Sequence, residues 1–248
     1  MSFTNSPLVT YTNITKNKTL NRNHKIDTIT IHCIVGQWTA KQGCDYFAST
    51  NKKCSANYVV GKDGSIGLSV EEKDRSWCSS NAANDHRAIT IEVASDTKAP
   101  YTVTDKAYNA LIQLIADICK RNNIKELKWK ADQTLIGQVD KQNMTVHKWF
   151  AKKDCPGEYL YERHGDIAAK VNAILNSELN PAPVKKEIKV GSTVRLKKGA
   201  KTFQGGNLAS FVYERDHQVK QINVDRVVIT YSGIVVAAVK KSDLIVIN

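Results

Sequence analysis

His32, His147 and Cys155 are side chains whose types could together hold a metal ion. Two imidazoles and a thiolate are the soft-to-borderline donors that zinc prefers. Three protein ligands leave a fourth position for water, the pattern of a catalytic zinc site rather than a closed structural one. His32 ends a strand-like run, His147 follows Met144-Thr-Val146, and Cys155 stands eight residues further on in Lys152-Lys-Asp-Cys-Pro-Gly157. The same residues have a plainer reading: a polar histidine at a strand end and a cysteine in a turn. No compact H-E-x-x-H pattern is present, and spacing alone does not choose between the two readings.

The segments around these residues are patterned to position them. Asp27-Thr-Ile-Thr-Ile-His32 is β-branched and alternating, which predicts a strand with His32 at its end. Trp38 to Thr50 carries apolar residues at helical spacing. Asn57 to Ile66 divides into two strand-like pieces about Asp63-Gly64, a hairpin signal. Ala88-Ile-Thr-Ile-Glu-Val93 predicts another strand. Thr104 has the chemistry of an N-cap, and Ala107, Leu111, Leu114, Ile115 and Ile118 fall on one face of a helix running to Asn122. A last helix is predicted from Gly165 to Leu175. Ser177 to Glu187, with Pro181 and Pro183, has the composition of a semi-rigid linker. Beyond it, helical periodicity gives way to short β-rich runs: Ser192 to Leu196, Gln218 to Ile222, Arg226 to Thr230, Gly233 to Val239 and Asp243 to Ile247. Such runs suit a small barrel.

The 248 residues are 42% hydrophobic and 24% charged, enough for a buried core and for two domains. The formal charge is +12, and from Ile188 onward ten Lys or Arg against four Asp or Glu supply +6 of it. This favours a polyanion, whether nucleic acid, membrane surface or anionic wall polymer, without choosing among them. No RNP-like aromatic segment and no helix-turn-helix pattern is present, so nucleic acid is not the expected partner. No run approaches the roughly 18 apolar residues of a membrane helix. Met1 to Thr10 shows no basic stretch followed by an apolar core, so no signal peptide is expected. The six cysteines, at 33, 44, 54, 78, 119 and 155, are then expected to be reduced and mostly buried rather than a disulfide framework.

Four segments taken together resemble the zinc-dependent N-acetylmuramoyl-L-alanine amidases of the type 2 family. They are Ile29-Thr-Ile-His32, Ser55-Ala-Asn-Tyr-Val-Val-Gly-Lys-Asp-Gly64, Ala88-Ile-Thr-Ile-Glu-Val93, and His147 followed by Lys153-Asp-Cys-Pro-Gly157. They stand in the family's order at family-like distances, over roughly residues 25–175. In detail they look most like endolysins of phages that infect clostridia and related Gram-positive bacteria. The resemblance implies that His32, His147 and Cys155 bind Zn2+, with Asp154 the competing ligand, since the family uses either Cys or Asp there. It implies a catalytic role for Glu92 and for Lys153, with Lys152 adjacent. Some members add a tyrosine near the Asp-Gly hairpin; that position here is Ala56, with Tyr58 two residues on. Asn57 stands where many members have a histidine.

The chemistry so implied is hydrolysis of the amide between N-acetylmuramic acid and L-alanine. A catalytic zinc makes a nucleophile of water near pH ~7. A carboxylate such as Glu92 can take one proton and deliver another, and an ammonium such as Lys153 can stabilise an oxyanion. The plainer alternatives are a solvated strand carboxylate and a surface charge. Trp77, Asn84 and His86, in the segment before the Glu92 strand, are expected to bind substrate. His164 is expected to be a surface or capping residue.

Residues 188–248 resemble the SH3-like wall-binding modules that follow endolysin catalytic domains. The matching features are Val190-Gly-Ser-x-Val194, Gly205-Gly206, Val219 to Ile222, Arg226-Val-Val-Ile229 and Lys241-Ser-Asp-Leu244. Phe203, Phe211 and Tyr213 could stack on wall sugars or fill the barrel. The expected architecture is an α/β amidase domain at 1–176 with a mixed central sheet flanked by helices. A linker at 177–187 and a small all-β SH3-like barrel at 188–248 complete it. The implied partners are peptidoglycan and anionic wall polymers, with no nucleic acid and no membrane. A holin would release the enzyme from the host cytoplasm to the bacterial cell wall. A host autolysin of the same chemistry and a non-catalytic peptidoglycan-binding protein are the alternatives, and the complete ligand set argues against the second.

Overall fold

The computed structural model describes residues 3–179 and 187–247, except for the side chains of 178 and 179. It divides into two compact units, Met1–Asn180 and Pro181–Asn248. Pro181 and Pro183, the centre of the expected linker, lie outside the described residues.

In the first unit the chain forms β1 (Tyr11–Thr12), β2 (Lys18–Thr19), β3 (Thr28–Val35), α1 (Ala40–Ser49), β4 (Tyr58–Val60) and β5 (Ile66–Leu68). It continues through β6 (Arg75–Ser76), α2 (Ala82–Arg87), β7 (Ala88–Ser95), α3 (Asp105–Arg121), β8 (Met144–Thr145) and α4 (Gly157–Leu179). Six strands make a mixed sheet in the order β1-β5-β4-β7-β3-β8. Its centre is a parallel ladder between β3 and β7, in register from Thr28 opposite Ala88 to Val35 opposite Ser95. β4 and β8 extend it in parallel, and β4 turns back into antiparallel β5. This is the mixed sheet with helices that the sequence predicts.

Both central strands are buried almost throughout, as parallel strands covered on two faces are. Alternation sends Ile29, Ile31 and Cys33 of β3 and Ile89, Ile91 and Val93 of β7 into the main core with α3 and α4. Leu111, Leu114, Ile115 and Ile118 of α3 are fully buried there, each worth roughly 2 kcal/mol of removed apolar surface. The intervening positions face the other way, where Ile34, Val59, Cys44 and Phe47 form a smaller cluster with α1. Thr104 caps α3 as expected, accepting from Ala107 N–H at 3.2 Å. Its hydroxyl also donates to the Lys62 carbonyl at 2.6 Å, which ties the helix start to the hairpin. Gly64 supplies the positive φ of +85° that the hairpin turn requires.

α4 starts at Gly157, earlier than the Gly165 expected, and His164 is buried within it rather than at the surface. Gly165 invites reading as a helix start. The apolar face continues back through Leu160, however, and that side chain is fully buried.

The second unit contains β9 (Thr193–Leu196), α5 (Phe211–Glu214), β10 (His217–Asn223), β11 (Arg226–Tyr231), β12 (Ile234–Lys240) and β13 (Leu244–Val246). The strands form one antiparallel sheet, β12-β11-β10-β9-β13. Val194, Val219, Val227, Ile229 and Val239 form its core. All five predicted strands are present, and the one-turn α5 is an addition. Tyr213 packs against this core, whereas Phe203 and Phe211 are exposed.

Candidate active site

His32 lies in the middle of β3, which runs on to Val35 rather than ending at His32 as the sequence suggests, and it faces away from the main core. Its neighbour across the parallel ladder is Glu92 of β7, so the two side chains stand side by side. The level below them is polar. Thr30 on β3 shares a 2.7 Å hydrogen bond with Thr145 on β8, and Thr90 on β7 shares one of 2.7 Å with Ser76. A buried polar row of this kind survives only when every group finds a partner. Here Asn57 and Asn84 supply the remaining partners.

Two turns bring the other donors to His32. His147 stands one residue beyond β8, after Val146, and opens a single 3-10 turn to Trp149. Its ring centroid is 5.1 Å from that of His32, at an interplanar angle of 62°. Cys155 sits in the turn Asp154 to Gly157, closed by a bond from Gly157 N–H to the Asp154 carbonyl at 2.7 Å. Gly157 has φ +79°, and a Cβ there would come within 2.8 Å of Tyr101, so this turn needs glycine. Cys155 Sγ is 3.3 Å from His32 Nδ1. One donor atom each from His32, His147 and Cys155 lies within 4.8 Å of the others. Asp154 is exposed and is not part of the group.

The donor set fits a metal ion such as zinc. His32 Nε2 is buried without a hydrogen-bond partner, a costly state unless something meets it. Burial, with the neighbouring His147 and His164, holds the His32 pKa well below its ordinary value. Burial and then the Lys153 ammonium lower that of His147. Both imidazoles are therefore neutral, as metal ligation demands. The Cys155 thiol is pushed well above its ordinary value by its hydrogen bond with Cys33, by burial and by the Glu92 charge. A cation at the cluster opposes these effects and favours the thiolate.

Glu92 is only partly buried as a residue, yet its Oε2 is shielded and meets no hydrogen-bond partner. Cys78 Sγ approaches Oε1 at 3.8 Å. Burial pushes the Glu92 carboxyl up to about 7 against the lowering pull of that thiol. His32, Cys78 and Glu92 also form a group with donor atoms within 4.8 Å of one another. His32 is thus shared between the two groups. Lys153 is exposed, and it is the lysine whose charge His147 feels. Lys148 is turned onto the Tyr161 ring, with Nζ 3.1 Å from its centroid.

The residues expected to meet substrate are placed differently. Asn84 is buried, with its amide donating to Thr30 and Ser79 and accepting from Thr145. Trp77 donates its indole N–H to Thr19 at 2.9 Å. His86 Nδ1 accepts from Asn23 N–H at 3.1 Å. Among the described residues, no hydrogen bond joins any of the three to His32, Glu92, His147 or Cys155. Tyr58 lies in the main core with its hydroxyl on Glu72 at 2.7 Å, on the side of the sheet away from Glu92.

Two residues near the site carry no motif of their own. Cys78 meets Glu92, and Ser80 Oγ lies 3.0 Å from His147 Nε2. Both belong to a loop held by buried Asp85, which accepts from the backbone N–H of Cys78 and Ser79. No local sequence pattern marks them: Asp85, which holds the loop, stands seven residues after Cys78 within α2.

The family model described as N-acetylmuramoyl-L-alanine amidase matches residues 22–158, more than half of the chain. Against curated protein sequences the chain finds no match. Among solved structures, the endolysin N-acetylmuramoyl-L-alanine amidase LysCS from Clostridium intestinale URNW is 19% identical, with TM-score 0.47, over 67% of this chain and 96% of that one. A mutant endolysin from Bacillus subtilis is 19% identical, with TM-score 0.47, over 66% of this chain and 99% of that one. A selenomethionine AmpD derivative is 18% identical, with TM-score 0.46, over 68% of this chain and 99% of that one. Likenesses at this level leave the chemistry to this chain's own residues. The extent of the family match, over the segment that carries His32, Glu92, His147 and Cys155, shows that the chain belongs to the N-acetylmuramoyl-L-alanine amidase family.

Proposed function

We propose that this protein is a zinc-dependent peptidoglycan amidase that hydrolyses the bond between N-acetylmuramic acid and L-alanine. The observation that carries the reading is the meeting of His32, His147 and Cys155 beside Glu92. Zinc held by the three donors would supply Lewis acidity and activate water near neutral pH. Glu92 takes a proton from the attacking water at the unpartnered Oε2 and returns one to the departing amine of L-alanine. Lys153, exposed beside His147, offers positive charge to the carbonyl oxygen as it becomes an oxyanion. The β3–β7 ladder holds His32 and Glu92 at fixed separation, so neither has to be ordered when substrate arrives.

The five-stranded second unit is read as an SH3-like module that keeps the enzyme on an insoluble wall. Tethering of this kind raises the local concentration of the catalytic unit. The motifs of the first unit favour a phage endolysin of the clostridial type. No helix among the described residues is long and apolar enough to cross a membrane, and passage to the wall is assigned to a holin. The test is mass analysis of purified Gram-positive walls after digestion, together with the zinc content of the protein. New free N-terminal L-alanine is the expected product. Cleavage that releases reducing sugar ends alone, or intact walls after prolonged digestion, rejects the reading.

A further inference from the structure

We propose that the second unit binds a phosphodiester polymer of the cell wall through a lysine-lined cleft. The proposal rests on the reading of this unit as a wall-targeting module. The cleft has a volume of about 630 Å³ and lies between the turns at Lys197 to Gly199 and Thr202 to Gly205 and the end of β12. Lys197, Lys198, Lys201 and Lys240 line it, and Asp243 is its single acidic side chain. All four lysines are exposed.

Asp243 is the one acid facing the four lysines of this cleft, and two other acids of the unit are paired outside it. Asp216 pairs with Arg195 at 2.7 Å, and Glu187 with Lys189 at 3.3 Å. Lys198, Lys201 and Lys240 make no ion pair among the described residues, and Lys197 Nζ donates to the Ser242 carbonyl at 2.8 Å. Four ammonium groups against one carboxylate make a site for repeated negative charge rather than for one carboxylate ligand. Lysine suits phosphate as a compact point charge with freely rotating donors. Phe203 opens onto the same cleft, 37% exposed, with its backbone N–H fixed to the Ala238 carbonyl at 2.7 Å. One apolar ring among lysines fits a chain that alternates phosphates with carbon-rich polyol or sugar units. A single aromatic offers no run of stacking platforms for successive bases, which separates this cleft from single-strand nucleic-acid grooves.

The test uses the full-length protein sedimented in the cold with purified Gram-positive walls. The walls are taken before and after hydrofluoric acid removes their phosphodiester polymers. Intact walls should pellet the protein and stripped walls should not, and added poly(glycerol phosphate) should release it. Binding to intact walls should weaken steeply with salt. Lys201→Glu with Lys240→Glu should lower wall affinity by ~10-fold or more, since each lysine replaced removes one charge pair with the polyanion. Lys189→Glu with Lys220→Glu makes the same change in net charge outside the cleft and should cost far less. Both double variants should melt at the parent temperature. Equal binding to intact and stripped walls overturns the phosphodiester proposal while the targeting reading stands. Equal losses for the two double variants, or release by duplex DNA as effective as by poly(glycerol phosphate), reduce the effect to general charge and also overturn it. If the parent pellets with neither wall preparation, the targeting reading fails and the proposal with it.

Discussion

His32 on β3 and Glu92 on β7 are register partners in one parallel ladder, so a single sheet face presents a buried imidazole beside a carboxylate. The side-chain period of a strand is two residues. A slip of one would turn both groups to the opposite face, and the eight paired positions of this ladder resist it.

The metal prediction follows from the donor geometry. Purified protein should hold about one zinc per chain. His147→Ala or Cys155→Ser should lose most of the zinc and the lytic activity, and chelation should do the same to the parent. Elemental analysis with a turbidity assay on walls reads both. Full zinc in either variant would show that the ion sits elsewhere, with His32, Cys78 and Glu92 the alternative donors.

Chemistry should separate from metal binding at Glu92. Glu92→Gln keeps the shape of the side chain and removes its capacity to take a proton. Zinc and fold should be retained, with activity down by ~10²–10⁴-fold. Lys153→Ala should also keep zinc and lose about 10²-fold. A Glu92→Gln enzyme working near the parent rate would end the mechanism drawn here, and Tyr58 could not replace Glu92 from its place on the far side of the sheet.

Asn84 tests the polar layer under the site. Asn84→Ala leaves the hydroxyls of Thr30, Thr145 and Ser79 short of a partner in a buried setting. The expected cost is about 1–3 kcal/mol of stability, seen as a lower melting temperature, with KM for soluble muropeptides unchanged below it. A raised KM with an unchanged melting temperature would instead give Asn84 the substrate-binding role.

How far the sequence reveals this protein depends on how local each feature is. β3, β7, the Asp63-Gly64 hairpin and the capped α3 are written in period, turn chemistry and capping residues, and the structure has them all. The two-residue strands β1, β2, β6 and β8 have no such signature, because only long-range pairing defines them. Three of the candidate site residues, His32, His147 and Cys155, come together from distant parts of the first unit, and it was the resemblance of the segments around them, not their types or spacing, that singled them out. Cys78, Ser80 and the fully committed amide of Asn84 were not legible. Their positions follow from Asp85 anchoring a loop and from threonines meeting across three strands, which no local pattern encodes.

Stability should depend on pH through His164. Its ring is fully buried in α4, with Nδ1 on the Leu160 carbonyl at 2.7 Å. Burial lowers its pKa from 6.5 to about 4, so the folded state keeps the ring neutral where the unfolded chain would protonate it. The depressed value means that this contribution is present above pH ~6.5 and is lost as pH falls toward ~4, by up to about 3 kcal/mol. Melting temperatures across that window should fall more steeply for the parent than for His164→Gln. Parallel curves for the two proteins would refute the assignment.

The backbone bond from Lys148 N–H to the Cys155 carbonyl, 3.0 Å long, closes the segment between two of the proposed ligands. This bond ties the backbone next to His147 to that of Cys155, while His32 is held in the β3–β7 ladder. If these residues take up a metal as proposed, uptake would be the docking of one tied loop onto the sheet rather than the gathering of three separate side chains. The ordering entropy would be confined to that loop, and the ion would act as a rivet whose binding energy is also tertiary structure. Removing it should raise amide hydrogen exchange first between His147 and Cys155, with β3 and β7 still protected.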